Sequence, residues 1–131
     1  NLSSKSLKLN ITAITTRKQV EKFIDHLSPN VPSIISLFAG RVADTGLDPK
    51  PIAISIRELI KSKELEKCEL LWASTREVFN IYEADQIGCE IITVTPDILK
   101  KISLKDKDLD VFSQETVQMF YNDAQSSGFV F

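Results

Sequence analysis

Apolar and polar positions change period several times along the chain, and each change marks an element. Leu7, Leu9, Ile11 and Ala13 alternate with Lys8, Asn10, Thr12 and Ile14, which predicts a strand over 7–14 with one conspicuously polar face. Val20, Phe23, Ile24 and Leu27 then fall at i, i+3, i+4 and i+7, the apolar stripe of a helix, and Thr16 with Gln19 three residues on makes a capping box at its start. His26 falls at the end of this helix, where a positive ring complements the dipole, and Ser28-Pro29-Asn30 breaks it. Residues 34–38 form a short apolar run around Ser36, of the kind that strands buried on both faces show, and lead into a Gly40-Arg41 turn and a polar loop reaching about Pro51. Ile52, Ile56, Leu59 and Ile60 form the face of the next helix, and the charged stretch 61–67 closes it as a solvated end.

The same unit then repeats. Residues 70–73 read as a third buried strand, followed by Ser74 with Glu77 as a second capping box and by Val78, Ile81 and Tyr82 along a helix that Gly88 ends. Residues 91–94 supply a fourth strand, and Thr95-Pro96 starts a short helix with Pro at its first position. The segment 103–112 reads as a charged loop. Ser113 caps a last helix with the stripe Val117, Phe120, Tyr121 and Ala124, and Gly128 stops it.

Four βα units without a hairpin signal require a parallel sheet, so the class is α/β over 1–131 as a single segment. Eight units of this size would reach about 250 residues, the length of a TIM (β/α)₈ barrel, and four are half of one. The alternative is an open four-stranded α/β sheet. Nucleotide-binding sheets of that kind carry a glycine-rich first turn, and the four glycines here form neither G-x-G-x-x-G nor a P-loop.

Composition narrows the chemistry. With 43% hydrophobic and 26% charged residues the chain can bury a core, and a net charge of −2 argues against a broad footprint for nucleic acid or anionic membrane while leaving room for a few cations around a small phosphate. No apolar run reaches a membrane span, the N-terminus lacks signal-peptide features, and a cytosolic protein is expected. The Asn-x-Ser/Thr matches at Asn1 and Asn10 carry little weight in that setting. Cys68, Cys89 and the single His26 make no zinc ligand set, so no metal or cofactor is expected and the thiols read as small buried hydrophobes.

In parallel α/β architectures the site lies at the carboxyl ends of the strands. Asn10 and Thr12 close the first strand on its polar face, Ser36 to Arg41 close the second, and Ser74 to Arg76 follow the third. Two arginines, two serines and the helix N-termini after strands two and three describe a phosphate cup, since guanidinium forks and oriented N–H groups match phosphate oxygens. Blander readings stand beside this one. Arg41 is a surface residue if the loop is long, Ser74 and Glu77 are only a helix cap, and the polar face of the first strand meets plain water unless it lines a barrel lumen.

The stretches Leu9-Asn10-Ile11-Thr12-Ala13-Ile14, Ser36-Leu37-Phe38-Ala39-Gly40-Arg41, Trp72-Ala73-Ser74-Thr75-Arg76 and Gly88-Cys89-Glu90-Ile91-Ile92-Thr93-Val94 resemble four successive motifs of the transaldolase family, in the family's order and over nearly the whole chain. They match its fifth to eighth βα units, the C-terminal half of the barrel. The resemblance implies an aldol chemistry in which a lysine Schiff base retains a dihydroxyacetone unit from a ketose phosphate and passes it to an aldose phosphate. It assigns Asn10 to the Schiff-base intermediate and the sugar hydroxyls, and Thr12 to the water of the proton transfers. It assigns Ser36 to the substrate, Phe38 to the pocket wall, and Arg41, Ser74 and Arg76 to the phosphate. Phe38 leans toward transfer over simple cleavage, since the related fructose 6-phosphate aldolases tend to carry tyrosine there. Leu37 departs from the family's usual proline.

The family's lysine and its acidic partners would fall upstream of Asn1, and neither Lys5 nor Lys8 matches the lysine motif. The expectation is therefore the substrate- and phosphate-binding half of a transaldolase-type enzyme, inert alone and completed by the missing N-terminal half-barrel or a second copy. An oligomer follows, because an open half-barrel exposes two strand edges and an apolar lumen. The alternatives are a non-catalytic half-barrel that binds sugar phosphates or assembles with another chain, and a small doubly wound domain of other function.

Overall fold

A computed structural model describes residues 7–128, and Asn1 and Lys5 lie outside the described residues. By its internal contacts the chain falls into two compact units, Asn1–Lys100 and Lys101–Phe131.

In the first unit, strand β1 (Leu9–Ile14) leads into helix α1 (Arg17–Glu21), and strand β2 (Ser33–Leu37) into helices α2 (Ala39–Ala43) and α3 (Lys50–Ser62). Strand β3 (Cys68–Trp72) is followed by helix α4 (Phe79–Ile87), and strand β4 (Ile91–Ile92) by helix α5 (Pro96–Lys100). All neighbouring strands pair in parallel, in the order β1-β2-β3-β4. Each crossover moves one strand further in the same direction, as in a barrel; a doubly wound sheet reverses order at a switch point. The result is the expected α/β arrangement of four βα units, a partial TIM barrel whose sheet is open with β1 and β4 at its edges.

One face of the sheet carries the core. Ile35, Leu37, Leu70 and Trp72 pack there with Val20 of α1, Ala53 and Ile56 of α3 and Ala84 of α4. The interior side chains of this set have lost essentially all contact with water, worth about 1.5–3 kcal/mol for each large aliphatic one. The register sets Asn10, Ile34 and Glu69 side by side, and Ser36 beside Leu71 and Ile91. Period-two alternation puts Ile34, Ser36 and Leu71 on the face opposite Ile35, Leu37, Leu70 and Trp72.

Several local signals act as expected. The Thr16–Gln19 capping box forms, and Gly88 ends α4 in the left-handed region at φ 82°. Ala53, Ile56, Leu59 and Ile60 are the buried face of α3, with Ile52 half-buried.

Other expectations are corrected. In β1 the register shifts between Ile11 and Ile14, with Ala13 at φ 60°, so Ile14 turns into the core and Ala13 to the surface. A bulge of this kind exchanges the two faces beyond it. The stripe from Val20 to Leu27 is kept, but α1 stops at Glu21 and a 3₁₀ turn over Ile24–His26 carries the rest on tighter i to i+3 bonds. Helix α2 occupies the start of what reads as the loop after Gly40-Arg41. β4 is two residues long, and Thr93 N–H still donates to Trp72 O at 3.0 Å.

The second unit consists of a 3₁₀ turn (Lys101–Leu104) and helix α6 (Leu109–Ser126). Asp108, not Ser113, caps α6: its carboxylate accepts from Val111 N–H at 2.9 Å, and Ser113 lies inside the helix. The segment 103–112 is accordingly part helix and not all loop. Lys107 pairs with Glu115 and lies 5.4 Å from the centre of the Phe112 ring, which steadies this first turn. No residue of α6 is buried, and its expected stripe of Val117, Phe120 and Tyr121 is exposed.

Candidate functional site

The polar residues at the carboxyl ends of β1, β2 and β3 form two linked groups. In the first, Ser36 Oγ donates to Asn10 Oδ1 at 2.7 Å across β1 and β2. Ser36 is buried at 3% exposure, whereas Asn10 is open to solvent, so the serine acts as a fixed post behind an accessible amide. Thr12 is exposed and stands just before the bulge at Ala13. Phe38 is half-buried, and its N–H donates to Ile14 O at 2.7 Å, tying the end of β2 to the end of β1.

The second group is built around Gly40. A Cβ on Gly40 would lie 1.7 Å from Ser74 O, 2.5 Å from Arg76 Nε and 2.8 Å from Ser74 Oγ, so only glycine lets α2 meet the turn after β3. Gly40 N–H also points to Ala73 O at 3.5 Å. Ser74 itself takes φ 63°, a conformation that side-chain-bearing residues adopt at a cost of roughly 1–2 kcal/mol. Arg76 Nη2 lies 2.6 Å from Asp44 Oδ2, a half-exposed pair that joins the turn to the end of α2. Ser74 and Arg76 are thus held together against Gly40. Arg41, the next residue on α2, is exposed.

The expected Ser74–Glu77 capping box does not form. Helix α4 begins only at Phe79, and its cap position, Val78, makes no side-chain cap bond. Asn80 does that work from inside the first turn: its Oδ1 accepts from Arg76 N–H at 3.0 Å and from Glu77 N–H at 3.1 Å. Its Nδ2 donates to Glu83 Oε2 at 2.9 Å, and Lys50 Nζ lies 3.2 Å from Glu83 Oε1. These two N–H groups are therefore spoken for, and the donors expected from a helix N-terminus after β3 are reduced accordingly. Gly40 as a contact residue, Asp44 and the Lys50–Glu83–Asn80 chain all escape the sequence reading. The one local signal was an Asn with an acidic residue three positions on, which has meaning only once the start of α4 is known.

At the opposite ends of the strands lies a cavity of about 470 Å³, lined by Arg57, Lys61, Glu66, Cys68 and Glu90 among others. Arg57 pairs with Glu90 there, and Glu90 Oε2 accepts from Leu70 N–H at 2.8 Å. Burial pushes the Glu90 carboxyl up, but the Arg57 hydrogen bond, the backbone bonds at Leu70 and Glu90 and the Arg57 charge outweigh it, leaving the group below the ordinary carboxylate value. Burial also raises both thiols, Cys89 to about 11, and both are free. At neutral pH they are protonated and poor nucleophiles. Among the described residues no group of three or more His, Cys, Asp or Glu side chains is placed to hold a metal, and no helix is long and apolar enough to cross a membrane.

Residues 1–129 match the model of a protein family described as transaldolase/fructose-6-phosphate aldolase. The chain belongs to this family. It is 30% identical to a probable transaldolase of Paracoccus denitrificans over 117 residues, covering 87% of this chain and 52% of that protein. It is 28% identical to a probable transaldolase of Nitrosopumilus maritimus over 102 residues, covering 78% and 44% of the two chains. Against a probable transaldolase of Mesorhizobium japonicum the identity is 37% over 83 residues, covering 61% and 38%. The chain thus spans about half the length, or less, of these relatives, in keeping with four βα units in an open sheet.

Proposed function

We propose that this transaldolase-family chain supplies the C-terminal, substrate- and phosphate-binding half of an enzyme that transfers a dihydroxyacetone unit between sugar phosphates. The observation that carries the reading is the seating of Ser74 and Arg76 against Gly40, which gathers a hydroxyl and a guanidinium one residue away from Arg41 at the carboxyl ends of the strands. In this reading Arg41, Ser74 and Arg76 hold the phosphate. Phe38 walls the pocket, and Ser36 holds Asn10 toward the sugar hydroxyls and the covalent intermediate. Thr12 holds the water that carries protons.

The nucleophile comes from βα units outside this chain. A lysine amine condenses with the carbonyl of the ketose phosphate and water leaves. The carbon–carbon bond beyond the retained three carbons then breaks, its electron pair flowing into the iminium while the hydroxyl proton passes through the water to a base. An aldose phosphate leaves. The enamine that remains attacks the carbonyl carbon of the acceptor, whose oxygen takes the carbonyl electron pair and recovers the proton from the base through the water, and water then adds to the reformed iminium and frees the amine. The open edges at β1 and β4 are closed by the N-terminal half-barrel or by a second copy. The free thiols of Cys68 and Cys89 fit a reducing, cytosolic setting.

Incubation with fructose 6-phosphate followed by borohydride reduction converts a lysine Schiff base into a permanent mass increase. The 14.7 kDa chain alone should give no adduct, and one should appear when four upstream βα units are supplied on the same polypeptide or as a separate one. An adduct on the chain alone would place the nucleophile among its own lysines and overturn the division of labour. Phosphate binding with no adduct in either case would favour a non-catalytic binding module.

A further inference from the structure

We propose that Asn80, braced by Glu83 and Lys50, is the positioning residue that aims Arg76 in the turn after β3. The proposal rests on reading that turn as the phosphate site. Arg76 N–H belongs to the peptide plane before its Cα and Glu77 N–H to the plane after it. By accepting from both, at 3.0 and 3.1 Å, Asn80 Oδ1 fixes the two planes that set the backbone angles of Arg76, and hence the direction in which its side chain leaves. In a helix started at Ser74 its hydroxyl would accept from these two N–H groups, but α4 starts at Phe79 with Val78 at its cap position, and Asn80 Oδ1 is the acceptor they meet.

The remaining contacts explain why an amide stands there. An amide presents an acceptor on one side and a donor on the other, and Glu83 Oε2, 2.9 Å from Asn80 Nδ2, selects the orientation with Oδ1 toward the turn. A flipped amide would face two backbone donors with a third. Glu83 is 14% exposed, and Lys50 Nζ at 3.2 Å from its other oxygen offsets its charge, so the brace adds little net repulsion toward an anion bound nearby. On the far side of the turn, Gly40 meets Ser74 and Asp44 meets Arg76 Nη2. The turn, strained at Ser74, is therefore held from both flanks, and only the Asn80 side acts through the backbone of Arg76.

The test is a titration of the ¹⁵N-labelled chain with fructose 6-phosphate, and with fructose as the unphosphorylated control, following the amide signals of Ser74 and Arg76. Asn80→Ala should weaken fructose 6-phosphate about tenfold while leaving fructose unchanged, because two N–H groups lose their acceptor and the turn loosens. Asn80→Asp should weaken it too, by setting a carboxylate against Glu83. Adding Glu83→Gln to Asn80→Asp should restore binding, since the glutamine amide then donates to the new carboxylate. Ala84→Gly, which loosens α4 without touching the brace, should leave the phosphate preference intact. The proposal is overturned if Asn80→Ala binds as the unaltered chain does, if the double variant fails to recover, or if Ala84→Gly reproduces the loss. No preference for the phosphorylated sugar, or Arg76→Ala leaving that preference unchanged, would instead bring down the phosphate reading and the proposal with it.

Discussion

Replacing Gly40 with alanine tests the geometry on which the site depends. In a helix the change ordinarily stabilises, by up to about 1 kcal/mol, since alanine is the better helix former. Here the added methyl carbon would stand 1.7 Å from Ser74 O, where real Cβ contacts essentially never fall below 3.0 Å, so the turn after β3 must withdraw by more than an ångström. The first obstacle is backbone oxygen, not a side chain that can swing aside, and the second is the Arg76 guanidinium at 2.5 Å. Overpacking of this kind costs about 1–3 kcal/mol, enough to reverse the propensity gain. Thermal unfolding should therefore show a Tm lower by about a few degrees, and under the proposed function fructose 6-phosphate binding should weaken as Ser74 and Arg76 shift. Gly46→Ala serves as the control: its φ of 81° makes a side chain costly, but nothing lies within 4 Å, so stability should fall while phosphate binding holds. A Gly40→Ala chain with unchanged or raised Tm and unaltered binding would refute the close approach of α2 to the turn.

Three further outcomes follow from the same structure. Glu90 has a depressed carboxyl pKa, so its bonds stabilise the fold fully above the unfolded carboxylate value of 4.5, and that stability is lost as the pH falls through its lower folded value; Glu90→Gln should flatten this acid dependence in denaturant titrations. Thr75 Oγ1 is buried with no hydrogen-bond partner, so Thr75→Val should be neutral or stabilising by about 1 kcal/mol in urea unfolding, and a clear loss would reveal a partner for the hydroxyl. Asp108→Ala should cost about 1 kcal/mol of cap energy and speed hydrogen exchange in the first turn of α6, whereas Ser113→Ala should not.

The parallel α/β class was legible because its signals are local. A switch of hydrophobic period, the Thr16–Gln19 box and the left-handed Gly88 each act within a few residues, and backbone geometry alone decides them. The strings around Asn10, Ser36, Ser74 and Arg76 that carry the family resemblance could be read for the same reason: each is short and lies in or just after a strand.

Tertiary structure decided where these strings meet. The bulge that sends Ile14 inward depends on how β1 registers with β2, which the alternation of β1 by itself does not contain. Ser74 reads as a helix cap, yet it sits in a strained turn against Gly40, the N–H groups of Arg76 and Glu77 donate to Asn80, and α4 starts only at Phe79. The choice of Asp108 over Ser113, by contrast, rests on local bonds, Asp108 to Val111 N–H and Lys107 to Glu115. Gly40 and Ser74, like Arg76 and Asp44, are far apart along the chain, and their contact is a product of packing parallel strands under shared helices. Sequence patterns carry the propensities of neighbours a turn or two apart; the site is made of pairs whose distance is set only when the sheet forms.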